Sequence, residues 1–258
     1  MQTLSLIVIT KNEEHVIARC LRSVGFVRDI IVVDSGSTDR TVEIASALGA
    51  RVIQTPDWPG YGPQKRRALD LATGDWVLSL DADEWIDAKF ETRIRDAIDA
   101  SNAPAAYRML RRSRFCGRDV RFGGWSSDSV VRLFKRGRAQ FSDDLVHESL
   151  NVDGPVERLD VVIDHDSIES WADAAGKIDS YSKAAAQQMF ARGRRAGGIA
   201  APLHGLAAFL KVYILRLGFL DGATGWGVAR YSALYASAKW RRLAEYSAAA
   251  REDDAKKA

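Results

Sequence analysis

Short apolar runs and helically spaced stretches alternate through the first hundred residues, and this alternation restricts the fold more than any other property of the chain. Residues 4–9, Ile30-Ile31-Val32-Val33, Arg51-Val52-Ile53 and Trp76-Val77-Leu78-Ser79-Leu80 have the length and apolar content of buried strands. Between them, residues 13–24 place Val16, Ile17, Cys20, Leu21 and Val24 at helical spacing. Residues 39–48 read as a second helix, capped by Thr38 or Asp39 and stopped by Gly49; residues 63–72 read as a third, stopped by Thr73-Gly74. Such a succession implies right-handed crossovers and a parallel sheet covered on both faces. Ligands of these sheets bind at the carboxyl ends of the strands. Thr10-Lys11-Asn12, Asp34-Ser35-Gly36-Ser37 and Asp81-Ala82-Asp83 all fall there.

Asp81 and Asp83 follow a buried strand, inside which a carboxylate would be costly. At the strand's end they can face a hard divalent cation, Mg2+ or Mn2+, which takes oxygen ligands and bridges to phosphate. The pair therefore reads either as a metal–diphosphate clamp or as a solvated turn. Asp34 can accept a hydrogen bond from a nucleobase N–H or a ribose hydroxyl. Gln64-Lys65-Arg66-Arg67 open the third helix, where cations beside a helix N-terminus suit a diphosphate. No G-x-G-x-x-G follows the first strand and no P-loop is present, which argues against dinucleotide and P-loop nucleotide sites.

Beyond residue 105 the pattern changes. Residues 107–152 read as short, Arg-rich β segments, with Lys135-Arg136-Gly137-Arg138 as a hairpin turn between residues 129–134 and 139–141. From residue 171 onward the chain reads as helical: 171–195, the strongly apolar 199–220, and 228–246. Between Lys177 and Arg242 eleven Lys or Arg face two acids, a local charge of +9 in a chain of net +3. Such a segment invites an anionic partner. Residues 199–220 are long enough to span a bilayer, but Lys211 and Arg216 in mid-segment are expensive there. An interfacial helix on an anionic membrane surface is the expectation, against a helix pair packed on the α/β domain or at a dimer interface. Cys20 and Cys116 lack metal-ligand spacing and suit a reducing cytosol. Residues 4–9 are too short and lack the basic lead of a signal peptide, so the expected location is cytoplasmic.

Thr10-Lys11-Asn12-Glu13, Val32-Val33-Asp34-Ser35-Gly36-Ser37-Thr38-Asp39, Gln64-Lys65 with Ala68, and the run from Gly74 to Glu84 together resemble family 2 glycosyltransferases. Gly124-Trp125-Ser126-Ser127-Asp128, Val131-Arg132-Leu133-Phe134, Val146-His147-Glu148, Asp164-His165 and Gly218-Phe219-Leu220-Asp221-Gly222 resemble the lipopolysaccharide inner-core β-1,4-glucosyltransferase subgroup. The resemblance implies an α/β fold of the GT-A type, a Rossmann-like, mostly parallel sheet covered by helices. It would occupy residues 1–168, with a nucleotide-sugar half at 1–104 and an acceptor half at 105–168, followed by a helical extension over 169–258. It implies a UDP-sugar donor, UDP-glucose in the subgroup, a lipid-linked saccharide acceptor with a core heptose, and inversion at the anomeric carbon. Thr10, Asn12, Glu13, Asp34, Lys65 and Asp81 would line the donor site, with Asp34 on the nucleobase, Asp81 on the ribose or sugar, and Asp83 on the metal. Where the family usually has Lys-Asn, this chain has Lys65-Arg66.

An inverting transfer needs a base within reach of the acceptor hydroxyl. Glu148 is the candidate, with Asp143, Asp144 and Asp128 as rivals; His147 can orient the acceptor or complete the metal site, and Asp128 can hold acceptor hydroxyls. Transfer to a polyprenyl phosphate or another cell-envelope glycan is the alternative enzyme reading. A basic nucleic-acid-binding module without catalysis is the remote one. Its cations are not interleaved with stacking aromatics, so no nucleic acid partner is expected.

Overall fold

The computed structural model describes residues 1–125, 128–142 and 149–257, with side chains as far as Arg251. The chain forms two compact units. The first comprises Met1–Arg111 and Asp128–His165; the second takes the intervening residues from Arg112 and everything from Asp166 onward.

In the first unit the expected alternation is present: β1 (Leu4–Thr10), α1 (Ile17–Ser23), β2 (Asp29–Asp34), α2 (Thr41–Ala47), β3 (Arg51–Gln54), α3 (Tyr61–Asp70) and β4 (Trp76–Asp81). β1 pairs in parallel with both β2 and β4, and β2 with β3. Alternate β1 side chains enter two cores. Leu6 and Val8 pack with Ile17, Cys20 and Leu21 of α1, while Ile7 and Ile9 pack with Ala68 and Leu69 of α3. Gly74, in the turn before β4, lies against β1: a Cβ there would stand 2.7 Å from Ser5 N and 2.9 Å from Leu4 C, so only glycine fits.

Beyond β4 come β5 (Glu84–Ile86), α4 (Glu91–Asp99), β6 (Ala106–Phe115), β7 (Arg118–Asp119), β8 (Ser129–Lys135), β9 (Ala139–Phe141), β10 (Leu150–Val152) and β11 (Val156–Ile168). The large sheet runs β3-β2-β1-β4-β8-β6-β11-β5, with β7 on β6. β8 is antiparallel to both β4 and β6, so the parallel half continues into an antiparallel half. The expected hairpin around Gly137 is a correction. Gly137 has φ 82° and Arg138 N–H bonds to Lys135 O at 3.0 Å, as a tight turn requires. However, β8 enters the large sheet while β9 leaves it and pairs with β10. Each strand finds a better partner outside the turn: Phe134 and Phe141 both go into the core beside α3.

The second unit holds α5 (Trp171–Ala191), α6 (Ala200–Leu210) and α7 (Gly222–Lys257) around a core of Phe115, Val120, Ile168, Ala174, Val212 and Val228. The apolar stretch expected over 199–220 is not one helix. After α6 the backbone takes a π turn at Lys211–Leu215, then reverses at Leu217, whose φ is 57°. Among the described residues no single helix is long and apolar enough to cross a membrane.

Candidate active site

The carboxyl ends of β1, β2 and β4 lie side by side, with Thr10 opposite Asp34 and Ile9 opposite Asp81. Asp34 is fully buried. Its Oδ1 accepts the N–H groups of Gly36 (3.0 Å) and Ser37 (2.9 Å), and its Oδ2 accepts the Ser37 hydroxyl. The carboxylate thus shapes the turn that follows it, and Gly36, at φ 81°, supplies the left-handed conformation. Asn12, also left-handed at φ 56°, joins this turn: its N–H reaches Ser37 Oγ at 2.8 Å and its Oδ1 accepts Thr38 N–H at 2.8 Å. Glu13 N–H reaches Thr41 Oγ1 at 2.8 Å. Asp39 Oδ1 accepts Thr41 N–H at 3.0 Å in a turn that leads into α2, whose N-cap is Arg40 rather than the expected Thr38 or Asp39. Thr10 is buried, and its hydroxyl has no partner among the described residues. Thr10, Asn12, Glu13 and Asp34 therefore form one braced ledge at the sheet edge.

Asp81 sits beside this ledge between two buried cations. Lys65 Nζ lies 2.8 Å from its Oδ1, and Arg132 Nη2 lies 2.5 Å from its Oδ2. The same Arg132 nitrogen is 2.6 Å from Oε1 of Glu84, which is fully buried and whose Oε2 accepts Asp81 N–H at 3.0 Å. Arg111 Nη1 continues the series at 3.4 Å from Glu84, and its Nε donates to Asp128 Oδ2 at 2.9 Å. Charges of alternating sign thus run Lys65, Asp81, Arg132, Glu84, Arg111, Asp128. Burial alone acts to raise the Asp81 carboxyl, but Arg132 and Lys65 outweigh it and hold the group well below the usual carboxylate range. Burial likewise opposes the charge on Arg132, and Asp81 and Glu84 more than restore it. Cys20, whose thiol points at Asp81 O from 3.5 Å, has its pKa pushed up by burial and then by Glu84, Asp83 and Asp81, so it stays a neutral thiol.

Asp83 stands apart from this series. Its Oδ2 lies 3.3 Å from Nε2 of His165, and both side chains are partly exposed. β5 brings the histidine there, because Glu84 is registered opposite His165 on β11. Among the described residues no group of three or more His, Cys, Asp or Glu could hold a metal. Two protein ligands nevertheless suit Mg2+ or Mn2+, which keep several waters and bind substrate phosphates for the remainder.

The structure brings together Thr10, Asn12, Glu13, Asp34, Lys65 and Asp81, with Asp83 two residues beyond. Asp128 is reached through Arg111. His147 and Glu148, with the rivals Asp143 and Asp144, lie outside the described residues. Glu84 is buried and paired. Arg132 and Arg111 carried no assigned role; the available signal was an arginine inside the apolar strand Val130-Val131-Arg132-Leu133-Phe134, where only a buried carboxylate would tolerate it.

Comparison with known proteins places this geometry. Residues 5–138 match the family described as Glycosyl transferase family 2. The chain is 32% identical over 257 residues to an uncharacterized glycosyltransferase of Rickettsia typhi, covering 95% of this chain and 87% of the relative. It is 27% identical over 248 residues to the lipopolysaccharide core biosynthesis glycosyltransferase LpsC of Rhizobium meliloti, covering 88% and 85% respectively. Among solved structures, glucosyl-3-phosphoglycerate synthase from Mycobacterium tuberculosis, in complex with Mn2+, UDP-glucose and phosphoglyceric acid, is 29% identical with a TM-score of 0.38 over 43% of this chain. The match spans 44% of that structure's length.

Proposed function

The chain belongs to glycosyl transferase family 2, and we propose that it has the GT-A fold and is an inverting hexosyltransferase with a UDP-sugar donor and a lipopolysaccharide inner-core heptose as acceptor. The observation that carries the reading is Asp81, fixed and ionised between Lys65 and Arg132 at the carboxyl edge of a parallel sheet. A carboxylate so held accepts hydrogen bonds from donor hydroxyls in one geometry and spends no reorganisation doing so. Lys65 lies within reach of a diphosphate at the same edge. Asp34, through its turn, sets the backbone against which the nucleobase rests. UDP-glucose is the first donor to try, by resemblance to the subgroup. The acceptor class draws on similarity to LpsC, a lipopolysaccharide core biosynthesis enzyme.

Asp83 and His165 would hold a divalent cation, Mg2+ or Mn2+. Bound there, the ion would supply charge neutralisation for the departing diphosphate. Glu148 is the proposed base for the acceptor hydroxyl, with His147 orienting the acceptor. Asp128 is already tied to Arg111. A lipid-linked acceptor places the enzyme peripherally on the inner face of the inner membrane.

The test is UDP release across a panel of UDP-sugars, with purified core oligosaccharide and Mn2+ or Mg2+. UDP-glucose should give the fastest release. No release with any donor would remove the reading, and turnover with another sugar alone would reassign the donor. Glu148→Gln should lower turnover by about 10²–10⁴-fold with UDP binding retained; near-normal turnover would exclude Glu148 as the base.

A further inference from the structure

In the second unit α6 leaves one apolar stripe uncovered. α6 meets α7 closely at one point, where a Cβ on Gly205 would fall 2.0 Å from Ser237 Oγ and Ser237 donates to Ala201 O at 3.3 Å, and through two ring pairs, His204 on Trp240 at 3.7 Å and Phe209 on Trp226 at 5.0 Å between centroids. Leu203, Leu206, Leu210 and Ile214 recur every third or fourth residue along one helical stripe, and all are exposed, Leu203 and Leu206 at 58%. A water-facing helix pair places such residues inward. A stripe of large apolar side chains left outward on one helix marks a face that meets apolar surroundings.

The elbow between the helices extends this surface. The backbone bends by 72° between residues 200–215 and residues 218–251. Gly218 and Gly225 hold the bend, since a Cβ on Gly225 would fall 1.7 Å from Gly218 O. The tip then presents Leu215 at 77% and Leu220 at 54% exposure. Leu220 also lines a pocket of about 530 Å³ together with Arg114, Arg118, Arg121 and Asp221. Asp221 accepts the N–H groups of Arg121 (2.9 Å) and Phe122 (2.8 Å), and Arg114 is paired with Asp119 at 2.9 Å. Arg118 and Arg121 are exposed and have no ion pair among the described residues.

We infer that this elbow and its arginine pocket dock the second unit on a bilayer containing anionic phospholipid, the apolar tip entering the acyl boundary while Arg118 and Arg121 meet headgroup phosphates. Charge selects lipid over a second copy of the chain. From residue 192 to 242 there are nine Lys or Arg and one acid, so two copies meeting here would oppose cation to cation. The inference deepens the peripheral location proposed above, on which it rests for the lipid-linked acceptor alone, by naming the surface of the second unit that meets the lipid.

The test is flotation of the full chain with phosphatidylcholine vesicles, with and without about 30% phosphatidylglycerol, at about 0.02 M and about 0.5 M salt. The chain should float with the anionic vesicles, and less at high salt. Leu215→Asp/Leu220→Asp should lose at least about tenfold in vesicle affinity, and Arg118→Gln/Arg121→Gln about 25-fold, near fivefold for each cation. All four positions are solvent-facing, so circular dichroism and UDP affinity should be unchanged. Equal recovery with and without vesicles at low salt, unchanged flotation of both variants, or a dimer by light scattering that Leu206→Asp dissociates would each overturn the inference. Loss of flotation with UDP binding intact removes only the docking surface. Absent UDP binding in a chain that still floats removes only the donor reading.

Discussion

Replacing Arg132 by methionine tests the charge series at its centre. Arg132 is 7% exposed, Glu84 is fully buried, and one guanidinium nitrogen serves both Glu84 (2.6 Å) and Asp81 (2.5 Å). Methionine keeps the aliphatic contact with the sheet and removes the charge. Glu84 then retains only the 3.4 Å contact of Arg111 and the Asp81 N–H among its described partners. Breaking a buried pair from one side costs about 3–5 kcal/mol, because the remaining charge stays desolvated. At about 1.4 kcal/mol per decade this is a factor of about 10² to 10³·⁵ in the opening equilibrium. Hydrogen–deuterium exchange of peptides covering β4 and β8 reads that equilibrium for the first unit alone. Their protection should fall by that factor. In the double variant with Glu84→Gln the combined loss should be smaller than the sum of the singles by about 0.5–3 kcal/mol. A loss of less than about fivefold in Arg132→Met would put the pair in the range of exposed salt bridges, near 0–1 kcal/mol, and refute the account.

Other expectations follow from the same geometry. Asp83→Asn should weaken Mn2+ binding in the presence of UDP by at least about tenfold, read by electron paramagnetic resonance titration; an unchanged affinity would exclude Asp83 as a ligand. The Asp81 carboxyl is held below its unfolded value, so its contribution to stability is complete above about pH 4 and is lost as pH falls toward the folded value. The stability gap between the wild-type chain and Asp81→Asn, followed in urea, should therefore shrink from pH 5 toward about pH 2, and a gap independent of pH would contradict the pairing. Gly74→Ala forces a Cβ onto the β1 backbone and should cost about 1–3 kcal/mol by urea denaturation, whereas a neutral effect would mean that the turn shifts freely.

The parallel half of the first unit was legible because its information is local. Each strand is a short apolar run, each helix has its own spacing and stop, and the polar residues at strand ends follow from the alternation. Asp34, Lys65 and Asp81 could therefore be assigned to one edge before any distance was known. The antiparallel half was less legible because its pairings are not local. Nothing in the sequence of β8 says that it lies between β4 and β6, or that β9, three residues after it, leaves for β10. For the same reason the partners of Arg132 were hidden: they stand 51 and 48 residues away. The break after α6 was hidden differently. Composition stays apolar from residue 199 to 220, while the reversal depends on the positive φ of Leu217 and on the close approach of Gly218 and Gly225.

The interleaved order of the charge series also constrains how the protein is made. Asp81 and Glu84 leave the ribosome well before Arg132, the cation that lies between them in the folded unit. At about 5–20 residues per second, the 48 residues from Glu84 to Arg132 take roughly 2–10 s. During that interval Lys65 balances one acid, Glu84 has no Arg132, and β4 has an open edge where β8 will later pair. The nascent first half therefore cannot bury its own acids, and its closure waits for a strand made half a domain later. A nascent chain stalled before residue 132 should be protease-sensitive around residues 76–86.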